Sequence, residues 1–168
     1  MKRLKIYFVN DDYIDYLRKF DKKVAYNKGR NRPYIGVVFT YKNFLYFAPL
    51  SSPKPKHLIM KENMVDIFKI DKGKLGIINL NNMIPCPSSV LIEAIKVVKD
   101  KKYKILIENQ LTYINANKEI LYKKALNFQK SYKKGHLQSN VMKRCCDFPL
   151  LEAMSLKYID NNKVKESK

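Results

Sequence analysis

The sequence predicts an α+β domain, with an antiparallel sheet drawn from the first half of the chain and helices mainly from the second. Three observations predict it. The runs 34–41 and 44–48 are rich in β-branched and aromatic residues and flank Lys42-Asn43, a pair suited to a tight hairpin turn. Two further apolar runs, 64–70 and 75–80, flank Asp71-Lys-Gly-Lys74, with a glycine where positive φ is needed. After Lys99 the texture changes to long segments with few helix breakers.

In chain order, Leu4, Ile6 and Phe8 alternate with Lys5, Tyr7 and Val9 and read as a short strand. Asn10 to Asp12 offers an N-cap and negative charge for a first helical turn. Tyr13, Tyr16, Leu17 and Phe20 fall at i, i+3, i+4 and i+7, which predicts an amphipathic helix over 11–20. Residues 22–33 hold Lys28, Gly29, Arg30 and Arg32 without apolar periodicity and read as a basic loop. Past the hairpin, three prolines in 49–57 interrupt the pattern and keep that stretch extended. Met83-Ile-Pro-Cys-Pro87 ends the β-rich part, and 90–95 suits either a strand or a helix start. Residues 104–115 predict one helix and 118–132 a second, with Asn117 as its cap and Gly135 as its stop. Asp147 is the expected N-cap of a last helix from Phe148, with Pro149 and Glu152 in its first turn. Residues 1–160 are expected to form one domain and 161–168 a polar, frayed tail.

The composition excludes several classes. At 168 residues, 46% hydrophobic and 12% aromatic, the chain has material for one real core and is not disordered throughout. No apolar run nears the roughly 18 residues of a membrane helix. The apolar stretch near the N-terminus stops at two aspartates after Val9, short of the roughly 7 to 15 residues of a signal h-region. Cys86, Cys145 and Cys146 are odd in number, two of them adjacent, which suits a reduced cytoplasmic protein rather than a disulfide framework. His57 and His136 are far apart, and no metal motif forms; no cofactor is expected. The formal charge is +19, from 34 basic against 15 acidic residues, which points to a polyanion, nucleic acid first. Of the basic residues 29 are lysine, a bias that AT-rich coding would also produce. The five arginines favour backbone contact over base-edge readout. The excess is +7 over residues 1–50, +3 over 51–100 and +9 over 101–168, so it is no detachable tail.

The chemistry concentrates in Ala48-Pro-Leu-Ser-Ser-Pro-Lys-Pro-Lys-His57, two hydroxyls, two lysines and an imidazole on a stiff loop leaving a strand. Ser51 and Ser52 can donate to a phosphate and Lys54 can supply charge, while Lys56 and His57 extend the basic surface. The structural alternative is a proline-rich connector whose serines satisfy turn backbone. There is no G-x-S-x-G elbow, Walker loop or H-E-x-x-H motif. Most tyrosines fall at core spacing; Tyr13 at the helix start and Tyr26 in the basic loop are the candidates to stack a base.

Taken together, these segments resemble the ToxN/AbiQ family of type III toxin–antitoxin endoribonucleases. The likeness runs through Lys5-Ile-Tyr-Phe-Val9, Asp12 to Val24, Tyr34-Ile-Gly-Val-Val38, Tyr46-Phe-Ala-Pro-Leu-Ser-Ser-Pro-Lys54, Leu75-Gly-Ile-Ile-Asn-Leu-Asn-Asn-Met-Ile-Pro85 and Cys146-Asp-Phe-Pro-Leu-Leu-Glu152, covering roughly residues 4–158. The resemblance implies a strongly twisted antiparallel, barrel-like core similar to the MazF/Kid toxins, with helices packed around it and a strand at 90–95. It implies a metal-independent ribonuclease acting in phage abortive infection. Its partners would be a small repetitive pseudoknot RNA, which it processes and which inhibits it in a closed toxin–RNA assembly, and cellular or phage RNA substrates.

By the same resemblance the catalytic hydroxyls fall on Ser51 and Ser52 and the catalytic lysine on Lys54. A family lysine before the I-G-[IV]-V strand falls on Arg32, which keeps the charge but cannot act as a neutral base. A family tyrosine in that loop lies nearest Tyr26, with Lys28 in register. The expected cleavage uses the ribose 2′-OH and leaves a 2′,3′-cyclic phosphate. The base stays open between Lys54, His57 and a tyrosine. A non-catalytic RNA-binding or RNA-chaperone domain is the alternative.

Overall fold

The alternation near the N-terminus becomes strand β1 (Lys5–Val9), and the amphipathic stripe after it becomes helix α1 (Asp11–Phe20). Asn10 caps α1 as its position predicts, its side-chain oxygen accepting from the Asp12 N–H at 3.0 Å. The computed structural model describes residues 3–27 and 32–166. The predicted hairpin forms as β2 (Pro33–Tyr41) and β3 (Phe44–Ser51), turning at Lys42 with φ +50°. Strands β4 (Ile67–Lys69), β5 (Ile77–Asn79), β6 (Ile84–Pro85) and β7 (Leu91–Glu93) are shorter than the apolar runs that contain them.

All pairings are antiparallel, in the order β4-β5-β3-β2-β1-β7, with β6 also on β3. The sheet is open, ending at β4 and β7, and is not a closed barrel. A register shift between Gly36 and Phe39 bends β2 and adds twist. Gly36 is required there: a Cβ would stand 2.0 Å from the ring of its cross-strand partner Phe47. Strand β3 is bordered opposite β2 by two short strands in succession, β6 along Tyr46 and Phe47 and β5 along Leu50 and Ser51.

The helices are α2 (Pro55–Ile59), α3 (Ala94–Val97), α4 (Lys101–Ala116), α5 (Lys118–Lys133), α6 (Ser139–Met142) and α7 (Phe148–Glu166). The ambiguous stretch 90–95 divides between β7, which pairs with β1, and the start of α3. Helix α4 begins three residues before 104 because Asp100 caps it, accepting from the Tyr103 N–H at 2.6 Å. Asn117 does not cap α5 through its side chain; its Nδ2 donates back to the Tyr113 carbonyl at 2.9 Å. Asp147 does cap α7, accepting from the Leu150 N–H at 3.1 Å, and that helix runs to Glu166.

The last helix closes the core. Phe148 is fully buried, with its ring centroid 4.6 Å from Tyr132 and 6.0 Å from Tyr46. Tyr46 stacks on Phe39 at 4.5 Å, and its hydroxyl donates to Glu152 at 2.5 Å. Burying an aromatic of this size contributes about 1.5 to 3 kcal/mol, so this cluster outweighs the exposed ion pairs. Farther along α7, Ser155 Oγ lies 2.9 Å from the Tyr13 hydroxyl, and at its start the Asp147 N–H donates to Asp21 at 2.8 Å.

Candidate active site

Pairing with β5 holds the C-terminal end of β3, with Leu50 opposite Ile78 and Ser51 opposite Ile77. Asn79 therefore lies on the same face as Ser51, one diagonal away. Its Nδ2 donates to Ser51 Oγ at 3.1 Å and lies 3.3 Å from the Pro49 carbonyl. With that lone pair engaged, the Ser51 hydroxyl proton is free to point outward as a donor. Ser51 is half-buried, while Ser52, Lys54 and Lys56 are exposed.

Two glycines of the β4–β5 turn let the backbone pass directly beneath this segment. Gly76 has φ +98°, and a Cβ there would stand 2.2 Å from the Ser51 carbonyl oxygen. Gly73 has φ +93°, and its Cβ would meet the His57 carbonyl oxygen at 2.4 Å. The turn thus forms the floor of the loop, and no side chain fits between them.

The stretch after Lys54 is not extended as its prolines suggested. Pro55 opens α2, where its missing N–H costs nothing, and the His57 N–H donates to the Lys54 carbonyl at 2.9 Å. This turn drives the His57 ring inward to 1% exposure, with its Nδ1 lacking a hydrogen-bond partner. His57 is therefore no surface contact for RNA. Burial, then the charges of Lys56, Lys54 and Lys69, hold its imidazole below the ordinary histidine range. Lys69 ends α2, donating to the Leu58 and Met60 carbonyls and pairing with Glu62 at 2.9 Å.

Arg32 comes to the same strand end. Its Nε donates to the Tyr26 carbonyl at 2.9 Å, and its Nη1 lies 3.5 Å from the carbonyl of Leu50, the residue before Ser51. Tyr26 is 56% exposed, and the Arg18 guanidinium sits over its ring at 5.3 Å. Lys28 and Arg30 lie outside the described residues. Tyr13 is a correction: it is fully buried, its hydroxyl donates to the Pro85 carbonyl at 2.6 Å, and burial holds its phenol above the ordinary tyrosine range. It can neither stack a base nor take a proton.

Sequence reasoning missed Asn79, Gly76 and Arg18. The visible signal for Asn79 was an amide inside an apolar strand run, where burial demands a partner. The three cysteines are buried; burial raises the Cys86 thiol and pushes Cys145 and Cys146 up to about 11 and about 12, which leaves them poor nucleophiles. Among the described residues no three His, Cys, Asp or Glu side chains gather into a cluster that could hold a metal ion, and no helix is long and apolar enough to cross a membrane.

The family model described as "Toxin ToxN, type III toxin-antitoxin system" matches residues 5–155. The chain belongs to the ToxN family. It is 33% identical to the endoribonuclease ToxN of Bacillus thuringiensis subsp. kurstaki, over 96% of this chain and 88% of that protein. It is 37% identical to the endoribonuclease AbiQ of Lactococcus lactis subsp. lactis, over 92% of this chain and 89% of that one. The solved structure of AbiQ, described as a lactococcal anti-phage endoribonuclease of a type III system, superposes with a TM-score of 0.80 at 31% identity, over 95% of this chain and 99% of that one. A second solved structure, described in terms of selective toxin inhibition by a non-coding RNA pseudoknot, gives 0.75 at 31% identity, over 94% of this chain and 98% of that one. This ToxN-family chain thus carries the half-buried Ser51 hydroxyl and the exposed Lys54 on a fold shared with those toxins nearly end to end.

Proposed function

We propose that this chain is the endoribonuclease toxin of a type III toxin–antitoxin pair, inhibited by a small repetitive pseudoknot RNA that it processes, and acting against phage. One observation carries the assignment to this site: Ser51, its oxygen held by Asn79, sits beside the Arg32 guanidinium at the start of the loop that presents Lys54. The near full-length family match supports the same reading.

In the reaction the ribose 2′-OH attacks the adjacent phosphorus and gives up its proton. The P–O5′ bond breaks, and the departing 5′ oxygen takes up a proton, leaving a 2′,3′-cyclic phosphate and a 5′-hydroxyl. The nucleophile belongs to the substrate, so the protein's part is to align it and to stabilise the phosphorane. The Ser51 O–H donates to a non-bridging oxygen, with Ser52 beside it. Lys54 and Arg32 face the added negative charge, and Tyr26, under Arg18, offers an exposed ring to a flanking base. His57 is withdrawn from the general-base role by its burial, as are Tyr13 and Tyr34. Three buried thiols and an RNA substrate suit the cytoplasm.

The test is incubation of the purified protein with labelled RNA in EDTA. Cleavage with cyclic-phosphate ends is expected, and Ser51→Ala and Lys54→Ala should each lower the rate by about 10² to 10³ while the protein stays folded. RNA bound but uncut would instead mark a non-catalytic RNA-binding domain. Full-rate cutting by folded Ser51→Ala would remove the loop from the mechanism.

A further inference from the structure

Helix α4 carries an amide where its pattern calls for an apolar side chain. Ile107, Gln110 and Ile114 form the buried stripe of that helix, and Gln110 is only 2% exposed. Its Nε2 donates to the Leu75 carbonyl at 2.8 Å, across 35 residues of chain. Its Oε1 finds no partner among the described residues. A buried amide oxygen left unpaired costs stability, and a leucine would fill the stripe without that cost. What this position supplies is the donor.

The acceptor is one peptide unit from the floor of the Ser51 loop. The Leu75 carbonyl and the Gly76 N–H belong to the same planar peptide, so one cannot tilt without the other. Gly76 passes beneath the Ser51 carbonyl oxygen, and the next residue, Ile77, pairs with Ser51 in the β3–β5 ladder. The turn's own hydrogen bonds close on themselves. Ile70 N–H donates to the Gly76 carbonyl at 2.9 Å, Leu75 N–H to the Ile70 carbonyl at 3.2 Å, and Gly76 N–H to the Gly73 carbonyl at 3.1 Å. Those bonds fix the shape of the turn, and pairing to β3 begins only at Ile77. The peptide between the two takes its orientation from Gln110. Asp71 and Lys72, at φ +46° and +51°, are a strained stretch that a lost anchor would let relax.

We infer that Gln110 is a positioning residue for cleavage: its amide N–H, through the Leu75–Gly76 peptide, holds the backbone beneath Ser51 and so aims the Ser51 hydroxyl at the phosphate. The inference rests on the endoribonuclease reading above and adds to it a buried residue of the helical layer that touches no RNA.

The experiment compares full-length wild type, Gln110→Leu and Gln110→Glu. Single-turnover cleavage of labelled RNA is followed over a pH series, each rate divided by the wild-type rate at the same pH. Binding is measured with an uncleavable 2′-O-methyl oligonucleotide. Gln110→Leu keeps the bulk and removes the donor; it should bind as wild type does and cleave about tenfold slower at every pH. Gln110→Glu puts a carboxyl in the same buried place, and burial raises its pKa above the ordinary carboxylate range. Protonated, its O–H can donate to Leu75; ionised, it can only accept. The charged side chains nearest along the chain, Lys104 and Glu108 on α4 and Lys72 and Lys74 on the turn, are exposed. The relative rate of Gln110→Glu should therefore approach wild type at low pH and fall to that of Gln110→Leu or below as pH rises. Packing alone cannot give that dependence. Circular dichroism at each pH confines the comparison to folded protein. Amide exchange at Ile70 and Leu75 should quicken in Gln110→Leu, a readout that needs no RNA. Wild-type cleavage by folded Gln110→Leu would overturn the inference, as would equal, pH-independent rates in the two variants. A wild type that cuts no RNA would refute the endoribonuclease reading, and unchanged exchange at Ile70 and Leu75 would separately refute the anchoring.

Discussion

Replacing Gly76 with alanine adds one methyl group at a place with no room for it. The backbone there has φ +98°, a region that costs an L-residue about 1 to 2 kcal/mol. The added Cβ would stand 2.2 Å from the Ser51 carbonyl oxygen, where ordinary contact begins near 3.4 Å. The Ser51 backbone must therefore move away by about 1.2 Å, the difference between those two distances. A shift of about 1 Å in a catalytic group lowers the rate by about 10². The expectation is a folded protein with its midpoint lowered by a few degrees and a cleavage rate down about a hundredfold. The assay is single-turnover cleavage of labelled RNA under conditions where circular dichroism shows the variant fully folded. Wild-type turnover by folded Gly76→Ala would refute the claim that the β4–β5 turn sets the position of Ser51.

Asn79→Ala removes the amide that orients the Ser51 hydroxyl and should slow single-turnover cleavage by about tenfold or more, at little cost in folding. Asn79→Asp should be worse, since it brings a negative charge to the phosphate site; equal rates for the three proteins would show that the amide only braces Pro49. The buried His57 binds a proton more weakly in the folded than in the unfolded chain, so between its lowered pKa and the ordinary value near 6.5 the unfolded state holds more protons. Stability should accordingly fall as the pH drops below about 6.5, by at most about 1.4 kcal/mol per pH unit from this group. Thermal melts of His57→Phe should lose that slope, and an unchanged acid dependence would count against it.

Much of the fold could be read from the residues because it is local. The hairpin, the α1 stripe and the caps at Asn10 and Asp147 each rest on a few adjacent positions. What depends on distant partners was harder. The apolar runs 64–70 and 75–80 yield strands of only three residues, β4 and β5, because only the part facing β3, or a strand on β3, finds a ladder. Prolines 53 and 55 read as rods, yet proline also opens helices, and which of the two wins is decided by whether His57 finds a buried seat. Tyr13 belonged to the apolar stripe of α1, and that stripe already assigned it to the core; its helix-start position misled. In the site, Ser51 and Lys54 share one short segment and were visible. Asn79 and Gly76 join them only through the β3–β5 register, which the sequence does not state.

The ties that run from α7 back to Tyr13, Asp21 and Tyr46 bear on how the molecule comes into being. These contacts join elements made early to one made more than roughly a hundred residues later along the chain, so the aromatic cluster cannot assemble until Phe148 and the turns after it have left the ribosome. Until then the sheet lacks one wall, and the strand that presents Ser51 is held only by its neighbours. Catalytic competence should appear only after α7 has emerged and docked. For the endoribonuclease proposed above, that order of assembly would keep the site incomplete until α7 has docked.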